Sequence, residues 1–464
     1  MVFIDYFMIF LYFCVLSGVV IASRKAKTME EFAVGSRQIP SGIILATLSA
    51  TYIGPGYAMG LANKAADSGY IWVYVFFAFS LQTLLVGFFV APKLREYSNA
   101  YTLADIMGCH YGKSVKVLSG IMSVLLCAGF VGAITNAAGE IIHNITGISF
   151  IWAVILSTLV VIIYSAIGGI KTVVLTDAVQ FIVLAISIPV VMFFLLKAHG
   201  VDVVVEKTSN TTINPLSTKQ LVALLASFLL GETLVPPYAN RALMSKDKNH
   251  ARNGFVLAGI FSLFWFFVCA SIGVIGKELV APDSSNVFLS ILRDYLPVGL
   301  YGLAIAALIS IIMSSQDSLI NAAAVSFSND LLGSFSPTKW LRKYELSSTR
   351  VITLIVGGLG AWFAINVKGV IPALLICYTL WAPTIVLPLI FAVTYKKVSC
   401  YSGLPAIVCG GFATGIWEWG LKSPYGIPSI LVGIGVNLFV FWVVHFLTRN
   451  WTIHKLFIPV GHKG

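Results

Sequence analysis

The sequence predicts an all-α polytopic membrane protein with about thirteen transmembrane helices, and three observations lead to this fold class. Of its 464 residues, 58% are hydrophobic and only 11% are charged, whereas soluble domains carry about 45–50% apolar and about 25% charged residues. Thirteen apolar runs of roughly 17–25 residues follow one another, and each can cross a hydrocarbon core about 30 Å thick. These runs lack the alternation of apolar and polar residues that is typical of membrane β-strands.

The thirteen predicted spans are joined by short loops, which leave no room for a soluble catalytic domain. In chain order they cover residues 4–23, 41–63, 70–92, 117–143, 150–168, 172–196, 220–240, 253–276, 299–331, 351–367, 369–395, 403–420 and 427–447. No linker or low-complexity tract divides the chain, so residues 1–464 are interpreted as one transmembrane transporter domain.

The distribution of basic residues predicts an orientation in the bilayer rather than a nucleic-acid partner, despite a net charge of +11. When the loops are assigned alternately to the two sides, 22 of the 30 Lys and Arg residues fall on one side and 8 on the other. The side richer in basic residues is cytoplasmic in membrane proteins. We therefore expect a multi-pass protein of the plasma or bacterial inner membrane, with the N-terminus outside and the C-terminus cytoplasmic. Arg241 is counted in the cytoplasmic loop after the seventh span.

Three predicted spans contain helix-breaking residues. Gly54, Pro55 and Gly56 interrupt the second span, Pro236 and Pro237 follow Gly231 in the seventh, and the eleventh contains Pro383 and Pro388. Interrupted helices at corresponding positions of two halves indicate a binding site at the bilayer midplane, built on inverted repeats.

Two blocks of five spans each begin with an interrupted span, which predicts a five-plus-five inverted repeat. The first repeat covers residues 41–196 and the inverted second repeat covers 218–395. The N-terminal span and loop, 1–40, and the C-terminal spans, 396–464, lie outside the repeats.

Polar residues inside the spans are the candidates for function, because ionisable groups in a membrane are costly and usually functional. Asp177 lies in the sixth span, Glu232 in the seventh and Asp317 in the ninth. The ninth span also places Ser314 and Ser315 on one helical face, since positions 311, 314, 315 and 318 follow the i, i+3, i+4, i+7 spacing. Hydroxyl and backbone carbonyl oxygens suit a small cation such as sodium.

An enzyme is not expected, because the sequence contains no HExxH, Walker A or GxSxG motif and no His or Cys cluster at metal-ligand spacing. The predicted function is sodium-driven symport of a small organic solute, such as an amino acid, a carboxylate or a vitamin-like compound. Two alternatives stay open on these residues: a proton-coupled symporter, and a membrane receptor that binds solute without transporting it. The expected partners are the solute, sodium and the lipid bilayer, with no nucleic acid and with the oligomeric state undetermined.

Four stretches resemble the sodium:solute symporter family, which includes proline, pantothenate and sugar cotransporters. They are Ala50–Gly56 (ATYIGPG), Tyr164–Val173 (YSAIGGIKTV) with Thr176–Gln180 (TDAVQ), Ile312–Ser318 (IMSSQDS), and Pro236–Leu243 (PPYANRAL). The resemblance extends over about residues 20–395 and implies sodium-driven uptake on a leucine-transporter-like fold.

The resemblance also implies which residues bind the ions and the solute. The main sodium site would use the carbonyl oxygens of Ala50, Ile53 and Ile311 and the hydroxyls of Ser314 and Ser315. A second sodium site, present in some members, would use Asp177, Ser314, Asp317 and Ser318. The solute would contact Tyr52, Gly56, Tyr57, Phe228, Gly231, Glu232, Tyr378 and Trp381.

Two departures from the family pattern bear on the solute. Gly56, Tyr57 and Gly231 stand where sugar-binding members place polar side chains, which disfavours a sugar. Glu232 stands where members often have an aromatic residue, and we expect its carboxylate to face the solute rather than lipid. Its expected partner is an amino group of the solute, a proton or a basic residue, with an ion pair to Arg241 as the structural alternative. The carboxylates near Ser318 favour two sodium ions over one.

Overall fold

The computed structural model describes residues 1–23, 26–200, 216–280, 286–335, 339–367, 370–395 and 397–449. Within these ranges the chain is helical and forms no β-strand. The α-helices, in chain order, are α1 (Phe3–Ala22), α2 (Met29–Val34), α3 (Ser41–Tyr52), α4 (Leu61–Ser68), α5 (Ile71–Phe89), α6 (Ala91–Leu94), α7 (Leu103–Tyr111), α8 (Lys113–Thr146), α9 (Phe150–Gly168), α10 (Ile170–His199), α11 (Thr218–Leu230), α12 (Pro236–Met244), α13 (Lys248–Lys277), α14 (Val287–Tyr295), α15 (Leu300–Ser326), α16 (Gly333–Phe335), α17 (Lys339–Asn366), α18 (Val370–Trp381), α19 (Leu387–Thr394), α20 (Gly403–Gly415) and α21 (Ser429–Thr448).

The predicted spans correspond to these helices. Among the described residues, nine helical segments are long and apolar enough to cross a membrane by themselves. The second and seventh predicted spans are each divided in two, into α3 with α4 and α11 with α12, while the fifth is α9 and the twelfth is α20. The prediction of an all-α polytopic membrane protein is therefore confirmed. Residues 450–464, which the sequence assigns to the cytoplasmic side, lie outside the described residues.

Both predicted breaks in the second and seventh spans are present. α3 ends at Tyr52, and a π-helical segment, Gly56–Gly60, precedes α4. In the seventh span, α11 ends at Leu230 and α12 begins at Pro236, and Leu234 between them has a φ of +55°. Proline has no N–H to continue a helical ladder, and a bulky residue with positive φ is strained. Both breaks therefore lie where the glycine and proline residues of the two spans predict them.

The eleventh span contains a different irregularity. α18 and α19 are joined by a π-helical segment, Ala382–Val386, which contains Pro383. Single turns of π-helix within α-helices often occur at functional sites. Here the segment directly follows Trp381, one of the residues expected to contact solute.

The interrupted second and seventh spans both contact one central helix, α15. α15 packs against α3, α8 and α10, and it also contacts α12. Almost all of its residues from Ala304 to Ser326 are buried. A helix that is buried on all sides can carry polar residues only if they find partners inside the protein. The partners of its serines therefore identify the functional site.

Candidate functional site

The break in the second span lies against the serines of α15. The Oγ atom of Ser315 lies 2.9 Å from the carbonyl oxygen of Ile311 and 2.9 Å from that of Thr51. The Cα of Gly54 also faces Ser315, since a Cβ built at Gly54 would lie 3.7 Å from the serine Oγ. The structure thus brings the end of α3 and the serine face of α15 within hydrogen-bond distance. Ala50 and Ile53, whose carbonyls are the other predicted ligands, flank Thr51 at this end and are buried.

Ser314 connects the same helix to the sixth span. Its hydroxyl donates a hydrogen bond of 2.5 Å to Oδ1 of Asp177, on α10. The other carboxylate oxygen, Oδ2, accepts a hydrogen bond from the hydroxyl of Thr47, on α3. Asp177 is therefore held by both elements that would form the main sodium site.

Arg241 is the cationic partner of Asp177. Its Nη2 lies 3.0 Å from Oδ2 of Asp177, and both side chains are fully buried. The same nitrogen donates to Thr51 Oγ1 at 2.8 Å and to Ser318 Oγ at 2.6 Å. The expectation that Arg241 lies in the cytoplasmic loop is wrong, because α12 continues to Met244 and carries the guanidinium inward. The alternative expectation that Arg241 neutralises Glu232 is also wrong, because Arg241 pairs with Asp177.

Glu232 lies in the break of the seventh span and is surrounded by tyrosines. Its Oε1 accepts a hydrogen bond of 2.7 Å from the hydroxyl of Tyr378, and its Oε2 accepts one of 3.0 Å from Tyr238. The hydroxyl of Tyr57 is 3.1 Å from that of Tyr378. In the described part of the chain, no Lys, Arg or His makes an ion pair with Glu232. This carboxylate is solvated by hydroxyl groups alone.

A small cavity opens beside Glu232. Its volume of about 20 Å³ is room for about one water molecule. It is lined by Thr51, Tyr52, Gly54, Pro55, Gly56, Tyr57, Phe130, Ile134, Glu232, Tyr238, Leu319 and Leu374. The lining contains one acidic side chain and no basic one, and it lies directly beside the end of α3.

Aromatic rings form the wall behind the cavity. Tyr57 stacks on Phe266 with ring centroids 5.4 Å apart and meets Phe76 edge-on at 5.0 Å. Phe228 lies edge-on to Tyr378 at 5.7 Å. Such rings present an electron-rich face that attracts organic cations. The cavity lining itself combines one carboxylate with four aromatic side chains, which are Tyr52, Tyr57, Phe130 and Tyr238.

The eight residues expected to contact solute are gathered in this region, in four different roles. Tyr52, Gly56, Tyr57 and Glu232 line the cavity, whereas Phe228 and Tyr378 stand behind it. Gly231 allows Tyr378 to approach α11, because a Cβ at this position would overlap the tyrosine ring. Trp381 donates from Nε1 to the carbonyl oxygen of Thr233 at 2.9 Å and so fixes the break of the seventh span.

Sequence reasoning did not assign a site role to Thr47, Thr51 or Tyr238. It also missed the inward position of Arg241. Thr47 and Thr51 are one helical turn apart in an otherwise apolar segment, a spacing that places two hydroxyls on one face. Arg241 lies only one residue beyond the predicted seventh span, and a longer span would have included it as an intramembrane charge. Tyr238 carries no local signal, because its role depends on the fold of the break.

Comparisons with known proteins agree with this geometry. The model of the sodium:solute symporter family matches residues 32–410. The chain is 26% identical to the sodium/pantothenate symporter of Escherichia coli (strain K12) over 434 residues, which is 86% of this chain and 87% of that protein. It is 29% identical to the human high affinity choline transporter 1 over 328 residues, 65% of this chain and 56% of the transporter.

A solved structure shows the same fold. The substrate-bound, outward-open structure of a Na⁺-coupled sialic acid symporter superposes with a TM-score of 0.82, covering 97% of this chain and 98% of that chain at 18% identity. The predicted leucine-transporter-like fold is thus confirmed. With the family model matching most of the chain, the conclusion is that this protein belongs to the sodium:solute symporter family and is a membrane transporter that couples solute uptake to sodium, not an enzyme.

Proposed function

We propose that the transported solute is a small organic cation whose ammonium group pairs with Glu232. The observation that carries this proposal is the carboxylate itself, which is buried, bonded only to tyrosine hydroxyls and exposed to the cavity. A buried charge is stable only when it is paired or hydrogen-bonded. An incoming cation would complete the neutralisation that the tyrosines provide only in part.

The aromatic wall supports an alkylated ammonium in particular. Quaternary ammonium groups are recognised by aromatic cages, in which cation–π attraction replaces hydration. Four aromatic side chains line the cavity together with Glu232: Tyr52, Tyr57, Phe130 and Tyr238. One relative is named as a choline transporter, and choline is such an ion. A purely anionic solute is disfavoured, because Glu232 would repel it and the lining offers no basic side chain.

The sodium ion is proposed to bind where α3 breaks beside α15. Its ligands would be the carbonyl oxygens of Ala50, Ile53 and Ile311 and the hydroxyls of Ser314 and Ser315. The hydrogen bonds of Ser315 to Ile311 and Thr51 support this assignment, because they show that the oxygens of both elements converge on one point. An ion there would join the break to α15 and so favour the arrangement that receives solute beside Tyr52 and Gly56.

Transport by alternating access would then move the two repeats, residues 41–196 and 218–395, relative to each other. The proposed orientation has the N-terminus outside and the C-terminus in the cytoplasm. One sodium ion entering with a monovalent cation moves two charges, and each is worth about 2.3 kcal/mol per 100 mV. At about 1.4 kcal/mol per tenfold, the voltage alone would support accumulation on the order of 10³-fold.

Paired ligands test the charge of the solute. Purified protein would be screened by thermal shift in sodium and in potassium, using choline and 3,3-dimethyl-1-butanol, which replaces the charged nitrogen with carbon. Proline and pantothenate would represent zwitterions and anions. We expect sodium-dependent stabilisation by ammonium compounds and little by their neutral analogues, followed by counterflow of the labelled hit in proteoliposomes. Equal responses to the charged and neutral analogues, or a response to the anion alone, would refute the proposed solute class.

A further inference from the structure

One nitrogen atom of Arg241 lies among oxygens in the way a bound cation does. Nη2 has four oxygen neighbours within 3.1 Å: Thr47 Oγ1, Thr51 Oγ1, Asp177 Oδ2 and Ser318 Oγ. They come from α3, α10 and α15, so three elements converge on the atom. A guanidinium NH₂ group has only two hydrogens, and four good donor bonds from it cannot form at once. The four oxygens therefore solvate the positive charge of the guanidinium, and they do not each accept a separate N–H hydrogen bond.

The hydroxyl hydrogens in this group point elsewhere. Thr47 donates to Asp177, and Thr51 donates to the carbonyl oxygen of Thr47 at 2.7 Å. The hydroxyl of Ser318 lies 3.2 Å from Thr51 Oγ1, which leaves its hydrogen for that oxygen. Each hydroxyl thus turns its lone pairs towards Nη2. This arrangement of lone pairs is the one that a metal cation would require.

We propose that Arg241 is a built-in cation in place of a second sodium ion, so that this symporter binds one sodium ion per cycle. Two of the oxygens around Nη2, from Asp177 and Ser318, are among those that the family resemblance assigns to a second sodium site. A sodium ion on the same oxygens would lie beside the guanidinium and be repelled by it. The side chain of Arg241 is fully buried, so its charge stays among these oxygens and is not solvated by water.

The local charge supports a single ion. Asp317 is within electrostatic range of Arg241, and the formal charges of Asp177, Asp317 and Arg241 leave one negative charge. One sodium ion at Ser314 and Ser315 neutralises this group, because Ser314 is bonded directly to Asp177. A second ion would leave an excess positive charge in a dry interior, which is strongly unfavourable.

The test is a direct count of bound ions, with ²²Na⁺ in saturation binding to the purified full-length protein. We expect one sodium per protein in the wild type and in Arg241→Lys, which keeps the charge. Arg241→Gln removes the charge and leaves Asp177 free to hold a metal ion, so we expect two. Arg252→Gln, at an exposed arginine, is the matched control and should bind one.

The inference rests on the proposed main sodium site, and the count separates the two. A wild type that binds no sodium refutes the main site, whereas a wild type that binds two refutes the role of Arg241. An Arg241→Gln variant that folds and still binds one ion also refutes it. If that variant does not fold, the charge-balanced Asp177→Asn/Arg241→Gln variant replaces it. This variant lacks the anionic ligand and should bind one ion, and two bound ions would again refute the role of Arg241.

Discussion

Two buried carboxylates, those of Asp177 and Glu232, differ in the groups that neutralise them. Asp177 is bonded to a guanidinium and to two hydroxyls, whereas Glu232 is bonded to tyrosine hydroxyls and faces a cavity. The first carries its counter-charge within the chain. The second has none among the described residues, so a counter-charge brought by the solute would complete it. This difference supports a structural role for the Asp177 pair and the proposed solute-binding role for Glu232.

The comparison predicts that breaking the internal pair has the largest effect on stability. Asp177→Asn leaves the buried guanidinium of Arg241 without its hydrogen-bonded anion, and removing one partner of a buried pair costs about 3–5 kcal/mol. Unfolding by SDS titration in mixed micelles would measure the loss. Asp294→Asn is the control, because its pair with Arg293 is exposed and such pairs contribute about 0–1 kcal/mol. Equal losses for both variants would show that the buried pair is no more important than a surface one.

Glu232→Gln should affect binding rather than folding. Without the negative charge, a cationic solute loses its partner, at a cost of about 2–5 kcal/mol for a buried charge pair. At about 1.4 kcal/mol per tenfold, solute affinity should fall at least about 30-fold, while unfolding stability changes little. Equilibrium binding in saturating sodium measures the affinity, and Glu418→Gln, at a residue outside the cavity, serves as control. Unchanged affinity together with a large stability loss would place Glu232 in the same class as Asp177.

The tyrosines that solvate Glu232 should rank by what their hydroxyls contact. Tyr378→Phe removes a hydrogen bond to a charged group, worth about 1.5–3 kcal/mol, and should lower solute affinity by about 10- to 100-fold. Tyr57→Phe removes a hydroxyl that bonds to the Tyr378 hydroxyl and interacts with Glu232 more weakly than Tyr378 does. We expect this contact to be worth about 0.5–1.5 kcal/mol, so the variant should lower solute affinity less. Binding curves for the two variants give the order, and the reverse order would show that Tyr57 contacts the solute more closely.

The smallest expected effect concerns sodium. Ser315→Ala removes one oxygen from a site with several ligands, and we expect the sodium concentration for half-maximal uptake to rise up to about tenfold, the equivalent of one hydrogen bond. Ser310→Ala is a matched control, because that buried hydroxyl bonds to Ala306 one turn away and is not among the proposed sodium ligands. Solute affinity at saturating sodium should stay the same. A change in solute affinity without a change in sodium dependence would place Ser315 in the solute site instead.

The membrane fold and the positions of the helix breaks could be predicted from local sequence features. Apolar length is a local property, and each of the thirteen predicted spans overlaps at least one described helix. Gly54–Pro55–Gly56 and Pro236–Pro237 act on the backbone directly, so the interruptions of both spans could be predicted without any knowledge of their neighbours. The serines of α15 could be recognised for the same reason, since helical spacing alone places them on one face.

Only the tertiary structure decided how the buried charges pair. From the sequence, Arg241 was equally available to Glu232, nine residues away, and to Asp177, 64 residues away. The choice depends on α12 directing the guanidinium towards α3 and α10, which follows from the strained backbone at Leu234 and the packing of four helices. Local patterns contain no information on such distant contacts. In a dry interior, however, these contacts decide which carboxylate has an ion-pair partner within the described residues and which one has none.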